Sequence, residues 1–137
     1  MKFPYKKFSV QPRPSGPASI VARPVIPIHV TSKQRVAYEA LVDSGADYSI
    51  FHAEVGEAIG LEVRKGHRVL FAGVSGATQE GFRHPVKLEV GTWRMPCSAV
   101  FAYGLKVPYG ILGQAELFEW FVVVFDRQAG WLELKPR

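Results

Sequence analysis

The stretch Leu41-Val42-Asp43-Ser44-Gly45-Ala46-Asp47-Tyr48-Ser49-Ile50-Phe51 sets two acids and a glycine between two apolar pairs. An aspartate at the end of a core-directed strand either belongs to a surface turn or is held at the floor of a cleft, available for acid–base chemistry. The other reactive side chains offer less. His29, His52, His67 and His84 show no metal-ligand spacing. Cys97, the only cysteine, lies beside Pro96 in a strand pattern and reads as a small buried hydrophobe, not a nucleophile. A single cysteine excludes an internal disulfide and a cysteine-based metal cluster, and it fits a reducing compartment such as the cytoplasm. There is no Gly-x-Ser-x-Gly, and Gly73-Val74-Ser75-Gly76 does not precede a helix, so a phosphate loop is not supported. No metal or cofactor is expected.

The elements around the Asp-Ser-Gly run are short strands. Residues 36–43 alternate, bringing Val36, Tyr38, Ala40 and Val42 to one face and ending at Asp43. Residues 53–61 read as a short helix stopped at Gly60. Residues 63–73 and 78–90 form a long hairpin with an apolar, glycine-flanked tip. A strand over 94–103, a loop, the apolar run Tyr109-Gly110-Ile111-Leu112-Gly113 and a short helical stretch follow. Strands over 121–126 and 131–135, split by a turn at Arg127–Gly130, close the chain. Upstream, 20–30 reads as an edge strand because of its prolines, and 1–17 as an irregular, Pro-rich arm. Many short strands with one or two short helices predict an all-β fold closed into a barrel, spanning 18–137.

Composition narrows the class. The 137 residues suit one domain with its own core, and 47% hydrophobic content is too high for general disorder. No apolar run is long enough to span a membrane, and no apolar segment follows the basic N-terminus as in a secretory signal. The net charge of +5 is local: residues 1–35 hold seven Lys or Arg and no acid, while the rest carries ten basic and twelve acidic residues. The basicity therefore belongs to the arm, which reads as solvated, and no nucleic-acid partner is expected. Trp93, Trp120 and Trp131 read as barrel core or dimer contacts.

Two motifs together resemble the retropepsin-like aspartic proteases, the single-domain dimeric relatives of pepsin. They are Leu41-Val42-Asp43-Ser44-Gly45-Ala46-Asp47 with Ser49 following, and Tyr109-Gly110-Ile111-Leu112-Gly113 about seventy residues on. The likeness covers about 18–135, and the family's flap hairpin would fall at roughly 69–82. A phosphodegron also contains Asp-Ser-Gly, but such signals require disorder, and this one lies between apolar runs.

The resemblance implies a mechanism and a stoichiometry. Aspartic proteases are established to use two facing carboxylates that share one proton, because both cannot ionise so close together. Only Asp43, Asp47 and Asp126 exist here, and there is no second Asp-Ser/Thr-Gly. The resemblance therefore implies a homodimer with Asp43 of each chain at the two-fold axis, acting on an extended peptide or unfolded protein. By the same likeness, Ser44 would bond across the two-fold, Gly45 would offer its carbonyl to substrate, and Asp47 would accept substrate amides. Ala46, Ile50, Phe71, Val74, Phe101 and Ile111 would supply apolar subsites, with Ser75 and Gly76 at the flap tip. Two departures stand out. Gln114 occupies the place where retroviral members often carry an arginine paired to the Asp47 equivalent, and it cannot form an ion pair. The tip 73–78 lacks their dense glycine run. A barrel that has kept peptide binding or dimerisation but lost turnover is the alternative. The arm is open to three readings: a removable pro-segment, a linker scar or an interface strand.

Overall fold

The computed structural model describes residues 1–73 and 76–137. Val74 and Ser75 of the expected flap tip lie outside them. Twelve strands among the described residues form the framework. They are β1 (Lys2–Pro4), β2 (Lys6–Val10), β3 (Ser19–Arg23), β4 (Val25–Thr31), β5 (Arg35–Val42), β6 (Ile50–His52), β7 (His67–Ala72), β8 (Thr78–Val90), β9 (Trp93–Ala102), β10 (Gly110–Leu112), β11 (Phe121–Asp126) and β12 (Trp131–Pro136). One helix, α1 (Ala53–Ala58), ends two residues short of Gly60, and a 3-10 turn spans Val63–Lys65. A distorted helical turn over Gln114–Phe118 includes Glu116 at φ 66°.

The main sheet runs β4-β5-β10-β6-β9-β8-β7, and an added β4–β8 pairing closes a ring with β7 on its outside. This is the all-β architecture the strand pattern predicts. Its organising feature is β10, which lies parallel to β5 (Gly110↔Ala40, Leu112↔Val42) and antiparallel to β6 (Ile111↔Ile50). Consecutive strands β5 and β6 are thus separated in space by a strand from seventy residues downstream. The loop joining them, 43–49, must cross the end of β10.

Alternation along the strands divides the apolar residues into two clusters. The larger contains Ile26, Val42, Phe51, Leu88, Phe101, Leu112 and Phe121, with Phe51 and Phe101 edge-to-face at 5.8 Å. The smaller one, Ile50, Val100 and Ala102, is packed by Tyr48, Val69, Phe71, Leu105 and Ile111. The fully buried aromatics are phenylalanines: Trp93 and Trp120 are exposed and Trp131 is half-buried, so none of the tryptophans fills the barrel. Cys97 is buried as predicted, and desolvation pushes its thiol up to about 12. His67 and His84 lie on the hairpin strands, and His84 Nε2 sits 2.7 Å from the Val63 carbonyl. Among the described residues, no helix is long and apolar enough to cross a membrane, and no three His, Cys, Asp or Glu cluster as a metal site.

The N-terminal segment departs from the expected irregular arm. β1 pairs antiparallel with β12 (Phe3↔Leu132), and Met1, Phe3 and Tyr5 pack against the main core. β2 and β3 form a separate hairpin from Lys6↔Arg23 to Val10↔Ser19. The prolines do not prevent this because of where they sit. Pro12, Pro14 and Pro17 all fall in the hairpin tip, and Pro4 ends an edge strand where no N–H is needed. Likewise 20–30 is broken at Pro24, and β4 is an edge only over its first half. From His29 onward it also pairs with β8, beyond exposed Pro27.

Candidate active site

The loop 43–49 is held from both sides. The Asp43 N–H donates to the Leu112 carbonyl at 3.0 Å, which fixes the end of β5 to the end of β10. Further on, the Gln114 N–H donates to Ala46 O at 2.8 Å and the Ala115 N–H to Asp47 O at 2.9 Å. Gln114 Nε2 reaches the Ser44 carbonyl at 2.6 Å. The departure from arginine at this position therefore gives a neutral donor that binds backbone rather than the Asp47 carboxylate. Beneath the loop, buried Ser49 Oγ accepts the Gly113 N–H at 3.3 Å. Gly113 itself lies flat against Tyr48: a Cβ there would stand 2.6 Å from the Tyr48 carbonyl carbon and 2.8 Å from its nitrogen. Ile-Leu-Gly thus requires its glycine because two backbones touch.

Asp43 is half-buried, and its Oδ1 accepts the Gly45 N–H at 2.8 Å, so the loop's own backbone orients the carboxylate. A Cβ at Gly45 would stand 3.2 Å from that oxygen. Ser44 and Gly45 are exposed, as is Asp47.

Asp43 lines a cleft of about 660 Å³ together with Gly45, Ala46, Asp47, Ile50, Phe71 and Ile111. Seven of the residues singled out from the sequence therefore meet at one concave surface. Ser44 is not on its wall. Gly76, at φ 80° in the hairpin turn, does not line it either. Phe101 is a correction: it is fully buried in the main core, packed on Phe51 and His84, and forms no part of the cleft. Alternation explains the error. On β9 it is Val100 and Ala102 that join the smaller cluster under the cleft, while Phe101 points the other way.

Residues without a motif complete the walls. Ala72, Gly73 and Gln79 come from the hairpin, and Gln79 follows from its register opposite Phe71. Leu105, Lys106 and Val107 come from the loop between β9 and β10. That loop is anchored by His52, whose Nε2 lies 2.7 Å from the Val107 carbonyl while its Nδ1 bonds the Tyr38 hydroxyl. Both nitrogens are satisfied when Nε2 carries the proton and Nδ1 accepts. Burial raises the Tyr38 hydroxyl to about 12, so it stays a donor at neutral pH.

The arrangement is a carboxylate at the floor of an apolar cleft, facing a hairpin across it. Comparison with known proteins gives the same frame. The sequence profile of a family described as aspartyl protease matches residues 28–115. No curated protein matches the chain. Among solved structures, a retropepsin-like aspartic protease from Rickettsia conorii is similar with a TM-score of 0.63 at 14% identity, covering 98% of this chain and 92% of that one. EIAV protease in complex with the inhibitor HBY-793 is similar with a TM-score of 0.55 at 22% identity, covering 71% and 86%. The matched segment begins on β4, takes in the Asp43 loop and the hairpin, and ends at Ala115, where the backbone clamps that loop. The chain belongs to the aspartyl protease family and has the retropepsin-like fold.

Proposed function

We propose that the protein is an aspartic endopeptidase that works as a homodimer, with one Asp43 from each chain at a shared site. The observation that carries this reading is the placement of Asp43: half-buried on the cleft floor, oriented by the Gly45 N–H, and followed by two exposed residues. Exposure of Ser44 and Gly45 leaves that edge of the site open to a second copy, and the sequence holds no second Asp-Ser/Thr-Gly.

In the dimer one carboxyl is ionised and the other protonated, since two such close charges are not both tolerated. The ionised Asp43 takes a proton from water as the oxygen adds to the peptide carbonyl. The partner's Asp43 gives its proton to the carbonyl oxygen, producing a neutral tetrahedral diol. Collapse breaks the C–N bond as the amide nitrogen is protonated, and the products are an acid and an amine. An extended peptide would lie between the floor and the hairpin, its apolar side chains against Ala46, Ile50, Phe71 and Ile111.

Cleavage of an unfolded protein substrate between acidic and neutral pH tests this. Asp43→Asn should lower the rate by about 10²–10⁴-fold, the usual weight of a general acid–base group, with the dimer retained on sedimentation. Cleavage that survives Asp43→Asn, or a wild-type chain that is only monomeric at micromolar concentration, overturns the proposal. Peptide binding without turnover in the wild type would support the alternative of a binding module.

A further inference from the structure

A second pocket, about 330 Å³, opens beside the cleft. Gln79 and Lys106 line both, so the two spaces adjoin at these side chains. Its floor is aromatic, from Phe82 and Tyr103, and two cations stand at its wall, Arg64 and Lys106. Among the described residues, the ion pairs leave both cations without a carboxylate within 4 Å. The acid that also lines the pocket, Glu80, is paired with Arg68. The pocket therefore presents unneutralised positive charge over an apolar base.

Arg64 is placed by its side chain and Lys106 by the backbone beside it. The Arg64 guanidinium lies 4.5 Å from the Tyr103 ring centroid and 5.8 Å from that of Phe82, within range of both ring faces. Lys106 precedes Val107, whose carbonyl is held by His52. A guanidinium fixed by stacking keeps its N–H groups free for a planar, two-oxygen acceptor.

We infer that this pocket is an outer specificity subsite that takes the carboxylate side chain of a glutamate or aspartate in the peptide substrate, paired with Arg64 and Lys106. The inference rests on the peptidase reading and adds a substrate class to it: extended peptides that are apolar at the scissile bond and acidic beyond it. In an extended strand successive side chains point to opposite sides at about 3.3 Å per residue. A chain leaving the cleft past Gln79 and Lys106 can thus direct one side chain into the outer pocket while its neighbours turn away.

The test uses binding, so that it stands apart from turnover. Full-length Asp43→Asn protein is titrated with fluorescent extended peptides that carry Glu or Gln at each outer position in turn, read by anisotropy. One position should favour Glu by about two- to fivefold, the range expected of a partly exposed charge pair. Arg64→Gln should reduce that ratio, Arg64→Gln with Lys106→Gln should bring it close to one, and about 1 M salt should shrink it by screening. Equal binding of Glu and Gln peptides at every position, a preference that persists when both Arg64→Gln and Lys106→Gln are made, or no peptide binding at all each overturns the inference. Failure of the peptidase reading shows separately, as an absence of cleavage by the wild-type chain.

Discussion

Gln114 Nε2 donates to the Ser44 carbonyl at 2.6 Å across seventy residues of sequence, tying the turn after β10 to the loop that carries Asp43. The bond is exposed, and its net worth to folding is at the low end of about 0.5–1.5 kcal/mol. Its leverage on geometry is larger, because the next residue after Ser44 is the one whose N–H orients the carboxylate. Gln114→Ala should therefore leave the denaturation midpoint nearly unchanged while lowering kcat/KM by about tenfold or more, as misplacement of a catalytic group does. Gln114→Glu, which sets a carboxylate against a carbonyl, should be worse than alanine. Wild-type kinetics in both variants would mean that the backbone bonds from 114 and 115 suffice alone.

Gly113→Ala acts on the same contact from below. The added methyl would collide with the Tyr48 backbone, which cannot swing away as a side chain can. Forcing a carbon into a packed site of this kind costs about 1–3 kcal/mol. The shift should be visible in chemical denaturation, and peptide cleavage should fall with it because Tyr48 belongs to the loop 43–49 that carries Asp43. An alanine variant as stable as wild type would show that β10 and the loop can separate without penalty.

These two contacts explain why the candidate site was legible in the sequence. Asp-Ser-Gly and Ile-Leu-Gly are far apart in the chain but meet as neighbouring strand ends, and each requires particular residues: a carboxylate in one, a glycine against backbone in the other. The walls carry no such requirement. Leu105, Lys106 and Val107 face the cleft because His52 holds their loop, and a hydrogen bond to a backbone carbonyl leaves no mark on residues 105–107. The burial of Phe101 is hidden for a related reason. Strand alternation fixes that neighbours oppose one another, but not which of the two faces is the cleft. The arm hid its strands because β1 depends on β12, a partner some 130 residues away.

Glu89 gives the fold an acid-sensitive point away from the site. It is nearly buried between Arg35, at 2.8 Å, and Arg94, at 3.2 Å, with the Thr31 hydroxyl at 3.4 Å. The hydrogen bond from Arg35 outweighs desolvation and, with the charges of both arginines, holds the Glu89 carboxyl below its usual range. A carboxyl lowered in the folded state stabilises it above the unfolded value of about 4.3, and that contribution is lost as pH falls through the folded value. Glu89→Gln should be less stable than wild type at neutral pH, and the difference should close as urea denaturation is repeated below about pH 4. A constant difference across that range would assign the effect to packing.

The N-terminal segment contains two parts that should respond oppositely to removal. Residues 1–5 are structural: the Met1 amino group donates to Leu134 O at 2.9 Å, the Leu134 N–H returns a bond to Met1 O at 2.8 Å, and the Tyr5 N–H donates to Gly130 O. Met1, Phe3 and Tyr5 are each half-buried against the core, so at about 1–2 kcal/mol apiece their loss should cost on the order of 3–6 kcal/mol. The tip 11–18 holds three of the prolines, and its hydrogen bonds among the described residues are local, such as Gln11 Nε2 to the Pro14 and Gly16 carbonyls. Replacing it with Asn-Gly, which joins Val10 to Ser19 by a two-residue turn, should change stability by less than about 0.5 kcal/mol. Thermal unfolding of the two deletions decides whether the segment is dispensable. If deleting 1–5 leaves the midpoint where it was, the segment could be cleaved off without harm, as a pro-segment would be. A large fall confined to that deletion makes β1 a strand of the mature fold.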